Sequence, residues 1–401
     1  MDIQTLKGFR DFLPNEARKR QYVLDTLKKV FESYGFEPLE TPVIEYEEIL
    51  MGKYGEEGDK LMYKFTDNGG RKVAMRYDQT VPLARVVAQY ANELSLPFKR
   101  YQIQNVYRAE NTQKGRYREF LQVDVDTVGS PSLLADAEII SLALKSFESL
   151  GFKNFKVLIN DRRIFQELIK NKLIDESSLV LVLRALDKLE KIGEEGVLEE
   201  LGKLGIDKNQ RKLILDTIQN LLPSEDFTDL FKFLKQQGIK EEMYEFTPSL
   251  ARGLDYYTST VFEIVSDNYP AGSLGGGGRY DELIGVFAGK PIPAVGFSFG
   301  FDRIIEAMEE LNLFPENLEG TKVLVTNTSD RSIQIADELR DKKINTELYI
   351  DDKDLDKQLK YADKKGIPYV LIVEDQTLIL KNMITGEKTE LNLDNLPNEL
   401  L

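Results

Sequence analysis

The chain has 401 residues, 42% of them apolar and 30% charged, a balance that excludes a disordered chain and predicts two or three globular domains. It contains no Cys, His or Trp, which excludes disulfide frameworks, thiolate nucleophiles, Cys-based zinc sites and imidazole bases, and with them serine-protease and zinc-hydrolase chemistry. The net charge of −15 argues against general adhesion to nucleic acid, while leaving room for one held by a local basic patch.

The N-terminal MDIQTLKGFRDFLP lacks the charged-then-apolar pattern of a signal peptide, and no apolar run is long enough to span a bilayer. A cytoplasmic protein with no membrane partner is predicted. The first helix is expected from about Glu16 to Tyr34, where Val23, Leu27, Val30, Phe31 and Tyr34 share a face and Gly35 supplies the stop. PLETPVIEYEEIL begins extended, because Pro42 disfavours a helical Thr41. A second helix follows Thr80, read as its N-cap, with Pro82 in the first turn and Leu83, Val86, Val87 and Tyr90 as its apolar face.

From Arg100 to Gly129 the period changes to two. RYQIQNVYR and REFLQVDVDTVG are predicted to form an antiparallel pair around the polar loop AENTQKG. The Leu-, Lys- and Glu-rich stretch from about 165 to 240 reads as a helical insertion between strand-rich regions. TVFEIVS is a strand, whereas the glycines of LGGGGRYD, Gly275 to Gly278, read as a flexible loop that also lets backbone approach a ligand. The bland expectation for Arg279 and Asp281 is that they pair with each other. AVGFSFGFDRIIEAMEEL passes from strand to helix, with Ile304, Ile305, Met308 and Leu311 inward. After Asn317 strands and helices alternate, the mark of a separate small α/β domain. No internal repeat or low-complexity tract interrupts this order.

Alternation along the second strand of the pair places Arg116, Arg118, Phe120, Gln122, Asp124 and Asp126 on one face and Leu121, Val123 and Val125 on the other. The second set is an ordinary core face. The first is either a solvated face or a site, and Arg108 and Glu110 at the same hairpin favour a site. Guanidinium forks suit phosphate, a ring suits a purine, and carboxylates suit an ammonium, so ATP with an amino acid would use all three.

RYQIQNVYRAENTQKGRYREFLQVDVD resembles the second signature motif of class II aminoacyl-tRNA synthetases, in the form found in the histidyl-tRNA synthetase family. FRDFLP, TPVIE, RYDQTVPLAR, LARGLDYYTSTVFEI and GGGGRYDELIG resemble further segments of that family in the family's order, and GFSFGFDR resembles the third class II motif. KQLKYADKKGIPYVLIV is similar to the family's anticodon-binding domain. The likeness extends over nearly the whole chain. It implies an α+β fold: a class II antiparallel-sheet catalytic domain over residues 1–320 with its helical insertion, then an anticodon-binding α/β domain over 321–401. A homodimer is implied too, with the segment around Pro42 at or near the interface.

The resemblance also implies an activity, formation of histidyl-adenylate from L-histidine and ATP followed by transfer to tRNA(His). Arg108, Arg252 and Arg303 take the catalytic positions. Glu110, Arg116 and Phe120 join Arg108 and Arg303 around ATP, with Phe120 at the adenine-stacking position. Asp78, Gln79, Thr80, Gln122, Asp126, Tyr256 and Tyr257 join Arg108 and Arg252 around histidine. For either tyrosine alone, plain core packing is an even match for that role. Mg2+ is expected with the ATP, and no residue is assigned as a metal ligand. Leu121 stands where the family commonly has a ring residue, on the core face by parity. The alternative is a non-catalytic relative, the histidine-binding regulatory subunit of ATP phosphoribosyltransferase, which usually loses catalytic arginines and lacks the C-terminal domain. A third reading is a tRNA-binding module without activity.

Overall fold

The computed structural model describes residues 3–53, 55–112, 115–186, 188–251, 256–270, 272–315, 318 and 320–392. The chain folds as two units, Met1–Phe314 and Pro315–Leu401.

In the first unit the helix Pro14–Ser33 buries Val23, Leu27, Val30 and Phe31, the spacing that puts them on one face. Gly35, at φ +76°, turns the chain out of it in the left-handed conformation that costs glycine least. β1 (Glu37–Pro38) follows, then a small sheet of β2 (Ile44–Tyr46), β3 (Lys64–Thr66) and β4 (Lys72–Met75) in the order β2-β4-β3. Next come β5 (Phe98–Tyr107), β6 (Glu119–Val128), β7 (Phe155–Asp161), β8 (Tyr244–Phe246), β9 (Thr260–Ser266), β10 (Gly275–Arg279) and β11 (Ala294–Phe299). The large sheet runs β1-β5-β6-β11-β10-β9-β7-β8. Its interior pairings are antiparallel, and only the outermost ones, β1 with β5 and β7 with β8, are parallel.

One face of this sheet is apolar. Val123, Val125, Phe262, Phe297 and Phe299 pack against the helices Pro14–Ser33, Leu133–Ser149 and Phe301–Glu310 in a single buried cluster. Gln122, Asp124 and Asp126 stand on the other face, as alternation requires.

Two local expectations change. The glycine run is not a loop: Gly275–Arg279 is a buried strand between β9 and β11. Glycine is a poor strand former, and tertiary packing overrides that preference here. A Cβ on Gly275 would sit 2.7 Å from the Phe297 ring, and one on Gly278 would sit 2.8 Å from the Tyr257 ring, so neighbouring rings occupy the side-chain space. Nor is Thr80 the N-cap. The helix Thr80–Gln89 starts one residue earlier than that expectation, and the Asp78 carboxylate accepts from the Thr80 and Val81 N–H groups at 3.1 and 3.2 Å.

Between β7 and β8 the chain leaves the sheet. Helices Leu179–Leu186, Leu189–Lys203 and Lys208–Gln219 close over a separate core that includes Phe165, Leu168, Val182, Leu186, Val197, Leu201, Ile214 and Ile218. The next helix, Glu225–Gln236, instead sends Phe227, Leu230 and Leu234 into the main core. Helical sequence alone does not reveal that split.

The second unit contains β12 (Val323–Val325), β13 (Thr346–Leu348), β14 (Tyr369–Val373), β15 (Leu378–Asn382) and β16 (Lys388–Glu390), in the order β13-β12-β14-β15-β16. The first three are parallel and the last two add antiparallel. Val323 and Val325 meet Ile335, Ala336 and Leu339 of the helix Ser332–Asp341 on one face, while Leu324 meets Ala362 of the helix Leu355–Lys365 on the other. Helices on both faces of a parallel core make this an α/β unit.

Candidate active site

The polar face of the large sheet opens into a cavity of about 320 Å³. Arg108, Glu110, Arg116, Phe120, Gln122 and Arg303 all line it, with Gly275 and Gly276 of β10 and Ser298 of β11. Residues from the hairpin and from the helix Phe301–Glu310 thus converge because β6 and β11 are neighbours.

Among the described residues, Arg108 and Arg303 of this cavity have no carboxylate partner. Arg108 Nε donates to the Tyr77 carbonyl at 3.2 Å, and its guanidinium lies 4.5 Å from the Tyr77 ring centre and 5.1 Å from that of Phe120. Arg303 donates to the Ser273 carbonyl at 2.9 Å. Asp302, next in the chain, is engaged elsewhere: Arg10 and Arg20 hold its two carboxylate oxygens at 2.8 and 2.6 Å. Arg116 is 59% exposed and reaches Glu110 only at 3.5 Å, a contact a ligand can displace. The cavity therefore presents guanidiniums beside an aromatic ring, a setting for an anionic ligand with a flat group.

The remaining candidates form a buried layer beside the cavity. Gln79, with no exposed surface, donates to the carbonyls of Gln104 and Gln122 and ties the helix start to the hairpin. Asp126 lies 2.8 Å from the fully buried Arg100 and accepts from the Tyr280 hydroxyl. Burial pushes its carboxyl upward, with Arg100 and Tyr280 opposing. Tyr256 meets Tyr257 and Tyr280 at ring-centre distances of 4.9 and 5.8 Å. Burial, then Tyr257 and Asp78, raise the Tyr256 hydroxyl well above its ordinary value, so it stays protonated and can donate. Thr80 and Asp78 carry the helix start beside it. Arg252 lies outside the described residues.

Arg279 does reach Asp281, at 3.3 Å, but its main partner is Asp136, buried in the helix Leu133–Ser149. That pair fastens the end of β10 to the helical layer.

A family model described as Histidyl-tRNA synthetase matches residues 8–304. The chain belongs to this family. A second model, described as Anticodon binding domain, matches 321–401. The Histidine--tRNA ligase of Cytophaga hutchinsonii is 39% identical and that of Christiangramia forsetii 40%, each match covering 98% of both chains. The crystal structure of histidyl-tRNA synthetase from a Nostoc species superposes with a TM-score of 0.84 at 31% identity, over 98% of each chain. The antiparallel unit with its helical insertion is thus a histidyl-tRNA synthetase catalytic domain, and the α/β unit is its anticodon-binding domain.

In this histidyl-tRNA synthetase fold, sequence reasoning missed Arg100 and Tyr280, and it placed Asp124 on the polar face without giving it a role. Tyr280 sits within GGGGRYDELIG, a segment singled out for its glycines. Arg100 and Gln102 share the parity of Gln104, and in register they oppose Asp126 and Asp124. A lone basic residue at the same parity as facing carboxylates was the available signal.

Proposed function

We propose that this chain is a histidine–tRNA ligase of class II. It would join L-histidine to ATP as histidyl-adenylate with release of pyrophosphate, and pass the histidyl group to the 3′ end of tRNA(His). The observation that carries the reading is the pairing of Arg108 and Arg303, without carboxylate partners among the described residues, with Phe120 in one cavity of a histidyl-tRNA synthetase catalytic domain.

In the first step a histidine carboxylate oxygen attacks the α-phosphorus and the bond to the pyrophosphate oxygen breaks. In the second the tRNA hydroxyl attacks the acyl carbon and AMP leaves. Charge accumulates on phosphoryl oxygens in the first step, and preorganised guanidiniums stabilise it without proton transfer. Arg108 and Arg252 would hold the α-phosphate and substrate carboxylate, Arg303 the distal phosphates, Phe120 the adenine face, and Glu110 and Arg116 the nucleotide edge. Asp78, Thr80 and Gln122 would receive the ammonium. Asp126, Tyr256 and Tyr257 would enclose the imidazole, and Gln79 would brace the layer. Mg2+ would arrive with the triphosphate: it is normally held by substrate phosphates and one or two carboxylates, and Glu110, loosely paired, is the cavity carboxylate free to share it.

Residues 321–401 would read the tRNA anticodon. Exposed apolar side chains around the small sheet, Val43, Ile44, Tyr46 and Phe65, support a homodimer formed through that surface. Among the described residues no helix is long and apolar enough to cross a membrane, which accords with work in the cytoplasm. The regulatory-subunit alternative is not favoured, since the relatives that are 39 and 40% identical over 98% of the chain are named as ligases and a model of the anticodon-binding domain matches residues 321–401.

Histidine-dependent exchange of labelled pyrophosphate into ATP tests the proposal, with Arg252→Ala expected to abolish exchange while leaving the fold intact. Well-folded protein that exchanges with no amino acid would sink the enzyme reading. Exchange without charging of tRNA would place the defect in residues 321–401.

A further inference from the structure

Gln122 and Asp124 stand two residues apart on the same face of β6, and Gln122 Nε2 donates to Asp124 Oδ2 at 2.6 Å. Gln122 lines the cavity, whereas Asp124 is only 4% exposed and lies behind it. A carboxamide has one donating end and one accepting end, and the end engaged by the protein decides which end a ligand meets. The Asp124 oxygen that meets Gln122 is the acceptor of this contact. Asp124 therefore claims the amino end of Gln122 and leaves the carbonyl end, Oε1, as the other face of that side chain.

Three neighbours keep this arrangement in place. The Gln122 backbone carbonyl accepts from Gln79 Nε2 at 3.1 Å, which fixes the strand beneath the side chain. Ser298 of β11 lies opposite Asp124 in register, and burial raises the Asp124 carboxyl, with the Arg100 guanidinium of β5 opposing that shift. Asp126 on the same strand opposes ionisation, and the Tyr256 hydroxyl also faces this carboxyl.

We propose that Asp124 is a positioning residue for the amino-acid substrate: it locks the Gln122 amide with Oε1 toward the cavity, so that this position selects a group that must donate, the substrate ammonium. The inference rests on the reading that the cavity takes histidine. A Gln122 free to flip would present its NH2 half the time, and two donors facing each other repel.

The test is pyrophosphate exchange by the full chain, with the parent protein and three variants. Exchange by the parent with histidine is read first, and its failure would remove the functional reading itself. Asp124→Asn keeps the shape, but an asparagine can accept from Gln122 or donate to it, so the lock is lost. The expected result is a histidine KM raised about tenfold, the loss of one charge-assisted hydrogen bond, with the ATP KM within about twofold of the parent. Inhibition by imidazolepropionate, which lacks the amino group, should keep its inhibition constant. Gln122→Glu sets two carboxylates against each other and should also impair histidine binding. Combining Gln122→Glu with Asp124→Asn removes that clash and supplies a side chain that accepts at both ends, so the histidine KM should return to within about threefold of the parent. An unchanged histidine KM in Asp124→Asn would overturn the proposal. So would a parallel rise in the ATP KM and the imidazolepropionate constant, or no recovery in the double variant, because each marks a general structural role.

Discussion

Arg10 and Asp302 are separated by 292 residues and meet at 2.8 Å, with Arg20 on the other oxygen of the same carboxylate at 2.6 Å. The Arg10 guanidinium also lies 3.3 Å from the centre of the Tyr117 ring in the hairpin connection. One side chain near the N-terminus thereby braces both the hairpin and the start of the helix that carries Arg303. It also keeps Asp302 from competing for Arg303.

Arg10→Gln should therefore act on nucleotide more than on amino acid. The ATP KM is expected to rise about tenfold, with the histidine KM little changed, because the Asp302 oxygen that Arg10 held is left to compete for Arg303 while Arg20 keeps the other. Steady-state exchange kinetics with each substrate varied in turn would check this. Equal effects on both substrates would show that the contact only stabilises the fold.

The Arg279–Asp136 pair is buried, with side-chain exposures of 5% and 0%. Arg279→Met should destabilise the protein by about 3–5 kcal/mol, since it strands Asp136 in the interior. Arg279→Met with Asp136→Leu should recover much of that loss. Denaturant midpoints measure both, and a single-variant loss below about 1 kcal/mol would mean the carboxylate finds another partner.

Asp124 gives a pH dependence. Burial, partly opposed by Arg100, raises its carboxyl from 3.8 to about 7. A carboxyl whose folded value is raised contributes stability that is fully present below its unfolded value and is lost as pH rises through the folded value. The stability of Asp124→Asn relative to the parent should accordingly improve as pH rises from about 4 to about 7, most steeply between about pH 5 and 6, and level off above neutrality. Urea unfolding across that range would detect it. A flat difference would mean that Asp124 ionises in the folded protein as it does in water.

Gly296 faces Asp126 across the β6–β11 pair, and a Cβ there would run into the Asp126 carboxylate. Gly296→Ala should displace that carboxylate from Arg100 and Tyr280 at a stability cost of about 1–3 kcal/mol, raising the histidine KM more than the ATP KM. Thermal melting with exchange kinetics would test the pair of effects. A variant with unaltered stability and histidine KM would show that the carboxylate has room to move.

Much of this organisation could be read from periodicity. The apolar face of the first helix and the alternation in β6 both correspond to faces seen in the structure, because side-chain spacing follows directly from backbone geometry. Register was less accessible. Taking the polar loop 109–115 as the turn centres the hairpin one residue early and sets Arg100 opposite Asp124. The strands actually end at Tyr107 and resume at Glu119, so Arg100 faces Asp126. A shift this small changes which carboxylate a buried arginine neutralises, and local sequence does not encode it. The glycine strand was hidden for a related reason. Its conformation is imposed by rings from Phe297 and Tyr257, which are distant in sequence from one another's strands.

Sheet order also governs what the ribosome exposes. Asp126 and Tyr280 are 154 residues apart, and β11, which covers the open side of β6, comes later still. At about 5–20 residues per second, β6 waits roughly ten seconds or longer as the outer strand of a half-built sheet. Such a strand is a template on which other nascent chains can add. Asp124 and Asp126 lie along it, and charged side chains make an outer strand a poor template. The carboxylates later sealed beside the cavity thus guard the growing polypeptide against aggregation before there is any cavity to line.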